Sequence, residues 1–220
     1  TVNCRQADPA TPNLEHAMER TMPAQNLQVL GITGSLRPKS NTRQYVERIL
    51  SCLEDEGIGT ELVSLKGRVI HPCLGCYQCV DTGRCIQDDD DFADILDKMR
   101  RAQGIVLGSP VYLSSVVPQM MALLDRATFV SLWNGGFFKG KVGGPVTVAR
   151  RAGHNMAFSQ LLLWFFLNGV TVPGSKYWNV GMAGAGGARD ADQDEEGMAI
   201  VTEFAGNMAG VMKKIFSRAG

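Results

Sequence analysis

Five times along this chain a short apolar run gives way to a segment whose apolar residues recur at helical spacing. That alternation constrains the fold most, because parallel strands need a crossover between them, usually a helix that covers the sheet. Residues 27–32, 60–65, 104–108, 145–149 and 170–172 read as buried strands. Residues 42–56 read as a helix with the stripe Tyr45, Val46, Ile49, Leu50 and Leu53, closed by Gly57. Further helices are expected at 92–102, from Pro118 to about 129, at 156–167 and at 196–216, the last with Ile200, Phe204, Met208, Val211 and Ile215 inward. Residues 131–144 and 177–194 read as loops.

Five such units predict one α/β domain with a doubly wound, five-stranded parallel sheet in the flavodoxin-like order 2-1-3-4-5. The domain covers 27–220, with a cysteine-rich insert at 66–91 after the second strand. Residues 1–26 read as an irregular arm, with a short helical pattern at 14–20 and Met22 as an alternative start. Apolar residues at 45% and charged residues at 20% fit a globular chain. Lys+Arg and Asp+Glu balance at 22 each, so no nucleic-acid partner is expected. The longest apolar run, 156–167, is shorter than the about 20 residues a membrane span needs. With no apolar signal core near the start, a cytoplasmic location is expected.

The loop Gly34-Ser35-Leu36-Arg37-Pro38-Lys39-Ser40-Asn41-Thr42 joins the first strand to its helix. Ligands of open α/β sheets bind beyond the carboxyl ends of strands, and a helix N-terminus favours an anion. Hydroxyls, an amide and two cations there suit a phosphate monoester. Helix capping explains Ser40, Asn41 and Thr42 but not Ser35 and Arg37. The loop after the third strand, Ser109-Pro110-Val111-Tyr112-Leu113-Ser114-Ser115, flanks the same crevice. Tyr112 and Ser115 there suit a planar ring, although an ordinary turn with a packing tyrosine reads the same way.

Cys73, Cys76, Cys79 and Cys85 form C-x2-C-x2-C-x5-C within 13 residues. The spacing is like the C-x2-C-x2-C run that binds iron–sulfur clusters, whereas structural zinc usually takes two separated pairs. Zinc, redox-active disulfides and free thiols are the other readings. Asp88 to Asp91 follow, read as a solvated run whose last member caps the next helix.

Together these motifs resemble the NAD(P)H-dependent FMN reductase superfamily, and within it the iron–sulfur flavoproteins, over about residues 28–210. The resemblance implies FMN, with Ser35, Arg37, Ser40, Asn41 and Thr42 on its phosphate and Pro110, Val111, Tyr112, Leu113 and Ser115 along its ring. A third loop, Arg150-Arg151-Ala152-Gly153, would complete the ring site where many relatives carry a glycine pair. Arg150 or Arg151 could stabilise an anionic reduced flavin; Gly153 completes that loop. The resemblance also implies a [4Fe–4S] cluster on the four cysteines at the rim that holds the flavin, a homodimer or homotetramer, and a ferredoxin-like carrier. The expected function is an FMN-dependent oxidoreductase passing electrons between cluster and FMN. The alternatives are an NAD(P)H-dependent FMN or quinone reductase without a cluster, and a zinc-stapled non-enzymatic module.

Other signals carry less. The cluster Gly184-Ala185-Gly186-Gly187 is not placed as a dinucleotide loop should be. Asp190, Asp192, Asp194, Glu195 and Glu196 lack the EF-hand pattern, so a flexible loop or partner contact is expected. The helix around Trp164 is apolar on every face, which predicts a core helix ahead of a subunit interface. His154 receives no role.

Overall fold

The computed structural model describes residues 27–184 and 190–216. The arm, its expected short helix and most of the Gly184–Gly187 cluster lie outside the described residues. In chain order the elements are β1 (Gln28–Thr33), α1 (Asn41–Asp55), β2 (Gly59–Ser64), α2 (Cys79–Thr82), α3 (Phe92–Arg101), β3 (Gly104–Pro110), α4 (Pro118–Trp133), β4 (Val142–Ala149), α5 (His154–Leu167), β5 (Val180–Met182) and α6 (Glu195–Phe216). The strands form one parallel sheet in the order β2-β1-β3-β4-β5.

Alternate strand residues face opposite layers. Leu30, Ile32, Ile105 and Leu107 pack toward α3, α4 and α5. Val29, Val106 and Val146 pack toward α1 and α6, against Tyr45, Val46, Ile49, Phe204 and Met208. Two glycines let α1 sit close to the sheet: a Cβ on Gly108 would stand 2.4 Å from Val46, and one on Gly31 would stand 2.8 Å from it. This close seating fixes the helix whose first turn borders the crevice. Among the described residues no helix is long and apolar enough to cross a membrane.

Three expectations need correction. The fifth strand lies at Val180–Met182, not at 170–172. Thr171 does pair beside Val142, donating to Lys141 O at 2.8 Å and accepting from Gly143 N at 3.0 Å. Pro173 then has no N–H to continue the ladder, and the chain rejoins the sheet at Asn179, whose carbonyl accepts from Thr147 N at 3.1 Å. Residues 131–144 are not all loop: α4 runs on to Trp133 and β4 begins at Val142, ahead of Pro145. Helix α5 is not a core helix. Ala157, Leu161, Trp164 and Phe165 face inward, but Met156, Leu163, Phe166 and Leu167 are 65%, 65%, 81% and 61% exposed.

Lys141, at the turn into β4, is buried and donates from Nζ to Arg100 O at 2.9 Å and to Ala102 O, tying the end of α3 to the sheet. Burial pushes its ammonium down to about 8. The unfolded chain then binds more protons than the folded one between that value and the ordinary lysine range, so stability rises with pH across this window. Urea unfolding at pH 8 and pH 10 should show that rise, and Lys141→Met should flatten it.

Candidate functional site

The reversal of strand order between β1 and β3 leaves a crevice at their carboxyl ends. Into it open Ser35, Arg37, Lys39, Ser40, Asn41 and Thr42 from the first loop, Pro110, Val111 and Tyr112 from the third strand and its loop, and Arg150 after β4. Nine of the expected flavin residues thus share one cleft of about 270 Å³, near the lower bound of small-molecule sites. Val148, Ala149, Ala183 and Gly184 complete the wall.

Ser40 is the N-cap of α1: its hydroxyl accepts from Arg43 N at 3.1 Å. The capped helix end faces the cleft, where its N–H groups and dipole favour an anion. Ser35 Oγ accepts only weakly, from Arg37 N at 3.5 Å. Asn41 spends its amide on the chain itself, donating to Asp190 Oδ1 at 2.9 Å and accepting from Asp190 N at 3.2 Å. The acidic segment is therefore pinned, not a flexible loop. Asp192 accepts from Gln44 at 2.9 Å, and Asp194 accepts from Met182 N at 2.7 Å and from the Tyr45 hydroxyl. Burial, together with the adjoining Asp194 carboxylate, pushes the Tyr45 phenol well above its ordinary range, so it stays a donor.

Four expected residues lie off the cleft wall. Tyr112 and Ser115 pair backbone to backbone at 2.9 Å, and Leu113 and Ser114 between them take left-handed φ values of 51° and 66°. This tight turn throws the Leu113 side chain fully into solvent and aims Ser115 Oγ at Gln160, 3.3 Å away. Gly153 starts α5 at φ 89°, with Ser114 and Val111 so close that a Cβ would sit 2.9–3.0 Å from them. Its work is to let two loops meet. Arg151 is exposed beyond it. His154 has a structural role the sequence did not signal: Ala149 N donates to its Nε2 at 3.1 Å, which lies 3.0 Å from Gly181 O, joining the ends of β4 and β5.

Lys39, counted among the loop's two cations but not among the residues assigned to the phosphate, opens into the same cleft. Ala183 and Gly184 were missed because β5 was placed ten residues early. Among the described residues Arg37, Lys39, Arg150 and Arg151 make no ion pair, so a chain of zero net charge keeps a positive cleft.

The four clustered cysteines line a second, smaller pocket with Leu74, Tyr77, Ile86, Arg126, Phe129 and Val130. All four are free thiols. Gly75 at φ 62° and Tyr77 at φ 57° curl the chain between them, and Gly83 at φ 69° ends α2. Tyr77 crosses Phe129 edge-on at 5.6 Å. Burial, then the nearness of Cys85, Cys73 and Cys76, pushes the Cys79 thiol up. Among the described residues no three His, Cys, Asp or Glu side chains already converge on one metal-ion position. The donor set is nonetheless all sulfur, soft and lined by apolar side chains, which fits an iron–sulfur cluster.

The acidic run beside this pocket is not simply solvated. Asp90 is fully buried at its side chain and ion-pairs with Arg126, which is buried as well. Burial would raise the Asp90 carboxyl, but hydrogen bonds from Arg126, His71 N and Phe92 N hold it below the usual carboxylate range. Asp91 occupies the N-cap position of α3 but its side chain makes no cap bond. It accepts from Arg68 at 2.7 Å and from Val69 N at 2.8 Å, while Asp90 takes the Phe92 N–H at 3.1 Å. The two pockets share no residue. Arg126 and Phe129 lie roughly 12–16 Å along α4 from Pro118 at 1.5 Å per residue, so the thiols are set down the helix from the flavin-side rim.

A doubly wound sheet in this order, with a cationic helix-start cleft at its switch point, defines a protein of flavodoxin-like fold. The comparisons sharpen this. The chain belongs to the NADPH-dependent FMN reductase family, which matches residues 27–185, and within it to the iron–sulfur flavoproteins. It is 36% identical over 198 residues to an iron–sulfur flavoprotein of Methanocaldococcus jannaschii, covering 86% of this chain and 99% of the relative. It is 29% identical to one of Methanosarcina thermophila, covering 86% and 97%. Among solved structures, RosB with a bound 8-demethyl-8-formylriboflavin-5'-phosphate superposes with a TM-score of 0.72 at 21% identity, covering 87% of this chain and 81% of RosB. A WrbA-like flavodoxin of Agrobacterium tumefaciens superposes at 0.58 and 14% identity, covering 86% and 98%. These two likenesses show the fold. The protein is an FMN-dependent oxidoreductase, which sets aside the non-enzymatic reading.

Asn41→Asp should place a carboxylate against Asp190 and loosen the segment from α1. A loss of about 1–3 kcal/mol is expected from the urea midpoint, the scale of a broken buried hydrogen bond.

Proposed function

We propose that this chain holds FMN in the crevice and a [4Fe–4S] cluster on Cys73, Cys76, Cys79 and Cys85, and passes electrons between a ferredoxin-like carrier and the flavin. The carrying observation is the pairing, in one domain, of a cationic cleft at a helix start with a walled pocket of four free thiols. Bound FMN would supply two-electron chemistry and the cluster one-electron exchange.

The chain's part is binding and electrostatics. Arg37 and Lys39, with Ser35, Ser40, Asn41 and Thr42 around the α1 N-terminus, would face the phosphate. Pro110, Val111 and Tyr112 would flank the ring on one side and Arg150 on the other, where its charge favours an anionic reduced flavin. Leu113, Ser115, Arg151 and Gly153 would shape that rim without lining it. A second reading keeps the flavin and takes electrons from NAD(P)H, possible without a cluster. The observation in its favour is that Arg150 and Arg151 add cations beyond those beside the phosphate. The exposed apolar face of α5 supports a homodimer or homotetramer. The free thiols support a reducing, cytoplasmic setting.

Anaerobic purification followed by iron, acid-labile sulfide, zinc and flavin analysis tests this. Iron and sulfide with FMN are expected; zinc, or FMN alone with rapid NADPH oxidation, would overturn the cluster assignment. Cys79→Ala should lose the iron and keep the flavin. Arg37→Ala should do the reverse, weakening FMN by about 1.5–3 kcal/mol in a fluorescence titration.

A further inference from the structure

The guanidinium of Arg126 is completely buried, yet the mechanism above makes no use of it. From the middle of α4 it reaches both ends of the cysteine loop. Nη1 donates to His71 O at 3.2 Å, just before the loop, and Nη2 donates to Gln87 O at 3.0 Å, just after it. Asp90 lies under the same group, pairs with Nη1, and accepts from His71 N at 2.8 Å and Phe92 N at 3.1 Å. Gln87 adds a bond from its side chain to Pro72 O at 3.2 Å. The Phe92 ring stacks under the guanidinium at 4.0 Å. The Nε–H points into the loop, 3.3 Å from Cys85 Sγ. Lysine could not reproduce this fork, because its donors radiate from a single nitrogen.

We propose that Arg126, seated on Asp90, is the positioning residue of the thiol pocket. It closes the loop from His71 to Gln87 before any metal arrives, and it holds a charged N–H against the Cys85 sulfur. This rests on the cluster assignment for its second half only. A cation hydrogen-bonded to a ligand sulfur stabilises the more negative, reduced cluster, so Arg126 raises the cluster's reduction potential.

The test uses the full chain as Arg126→Lys and as the double variant Arg126→Met with Asp90→Asn, which leaves no unpaired buried charge. Retained FMN fluorescence quenching serves as the check on folding. In apoprotein, tryptic cleavage after Arg84, exposed within the loop, should accelerate about tenfold or more in both variants, because neither keeps the fork that bonds His71 O and Gln87 O together. In anaerobically reconstituted protein, an EPR-monitored titration should give a lower midpoint potential in both. An unchanged cleavage rate overturns the closure role, and an unchanged potential overturns the N–H to sulfur role. Wild-type protein that takes up no iron defeats the cluster assignment instead, while the cleavage rates still decide the closure role.

Discussion

Everything at the functional end depends on the direction in which the sheet is wound on either side of β1. The chain pairs β2 on one edge of β1 and β3 on the other, so the two βα loops that follow β1 and β3 part company and leave space between them. Gly31 and Gly108 bring α1 hard against the sheet, which aims its first turn into that space. The cleft is thus a consequence of topology and two missing side chains. The cations at its rim act on a site already shaped by the backbone.

How much of this is legible in the amino-acid order differs by element. The first four strands and their helices are legible because strands buried on both faces read as short continuous apolar runs between amphipathic helices, and the sheet order follows from the doubly wound pattern such units build. β5 escapes because three residues, Val180-Gly181-Met182, carry no pattern, whereas 170–172 looks more like a strand and does make one bridge before Pro173 ends it. Local pattern also misjudges α5. A helix apolar all round reads as core, and only the tertiary arrangement reveals that its outer half is uncovered among the described residues.

The site divides in the same way. Loop chemistry beside a strand end marks Ser35 to Thr42, Pro110 to Tyr112 and Arg150, since those residues stay close to the crevice by chain connectivity alone. Asn41, Asp90 and His154 take roles that connectivity does not reveal. Each is decided by a partner far away in sequence: Asp190 for Asn41, Arg126 for Asp90, Gly181 for His154. A run of four aspartates invites a reading as one solvated patch, but its members separate once folded. Asp88 and Asp89 stay in water, Asp90 goes under Arg126, and Asp91 turns to Arg68.

That separation bears on how the loop proposed to carry the cluster is held to the rest of the fold. In small zinc domains the metal supplies the folding energy, and the apo chain is unfolded. Here the cysteine insert packs on the core under α3, α4 and α5, and α4 supplies its floor through Arg126, Phe129 and Val130. A buried ion pair is a poor source of net stability, because desolvation offsets most of its attraction. Its value lies in geometry. Arg126 and Asp90 between them satisfy His71, Gln87 and Phe92 backbone groups that few other arrangements of this loop would satisfy together. The insert is thereby tied to the elements that pack on the sheet, with its ends fixed by side chains of α4 and the acidic run.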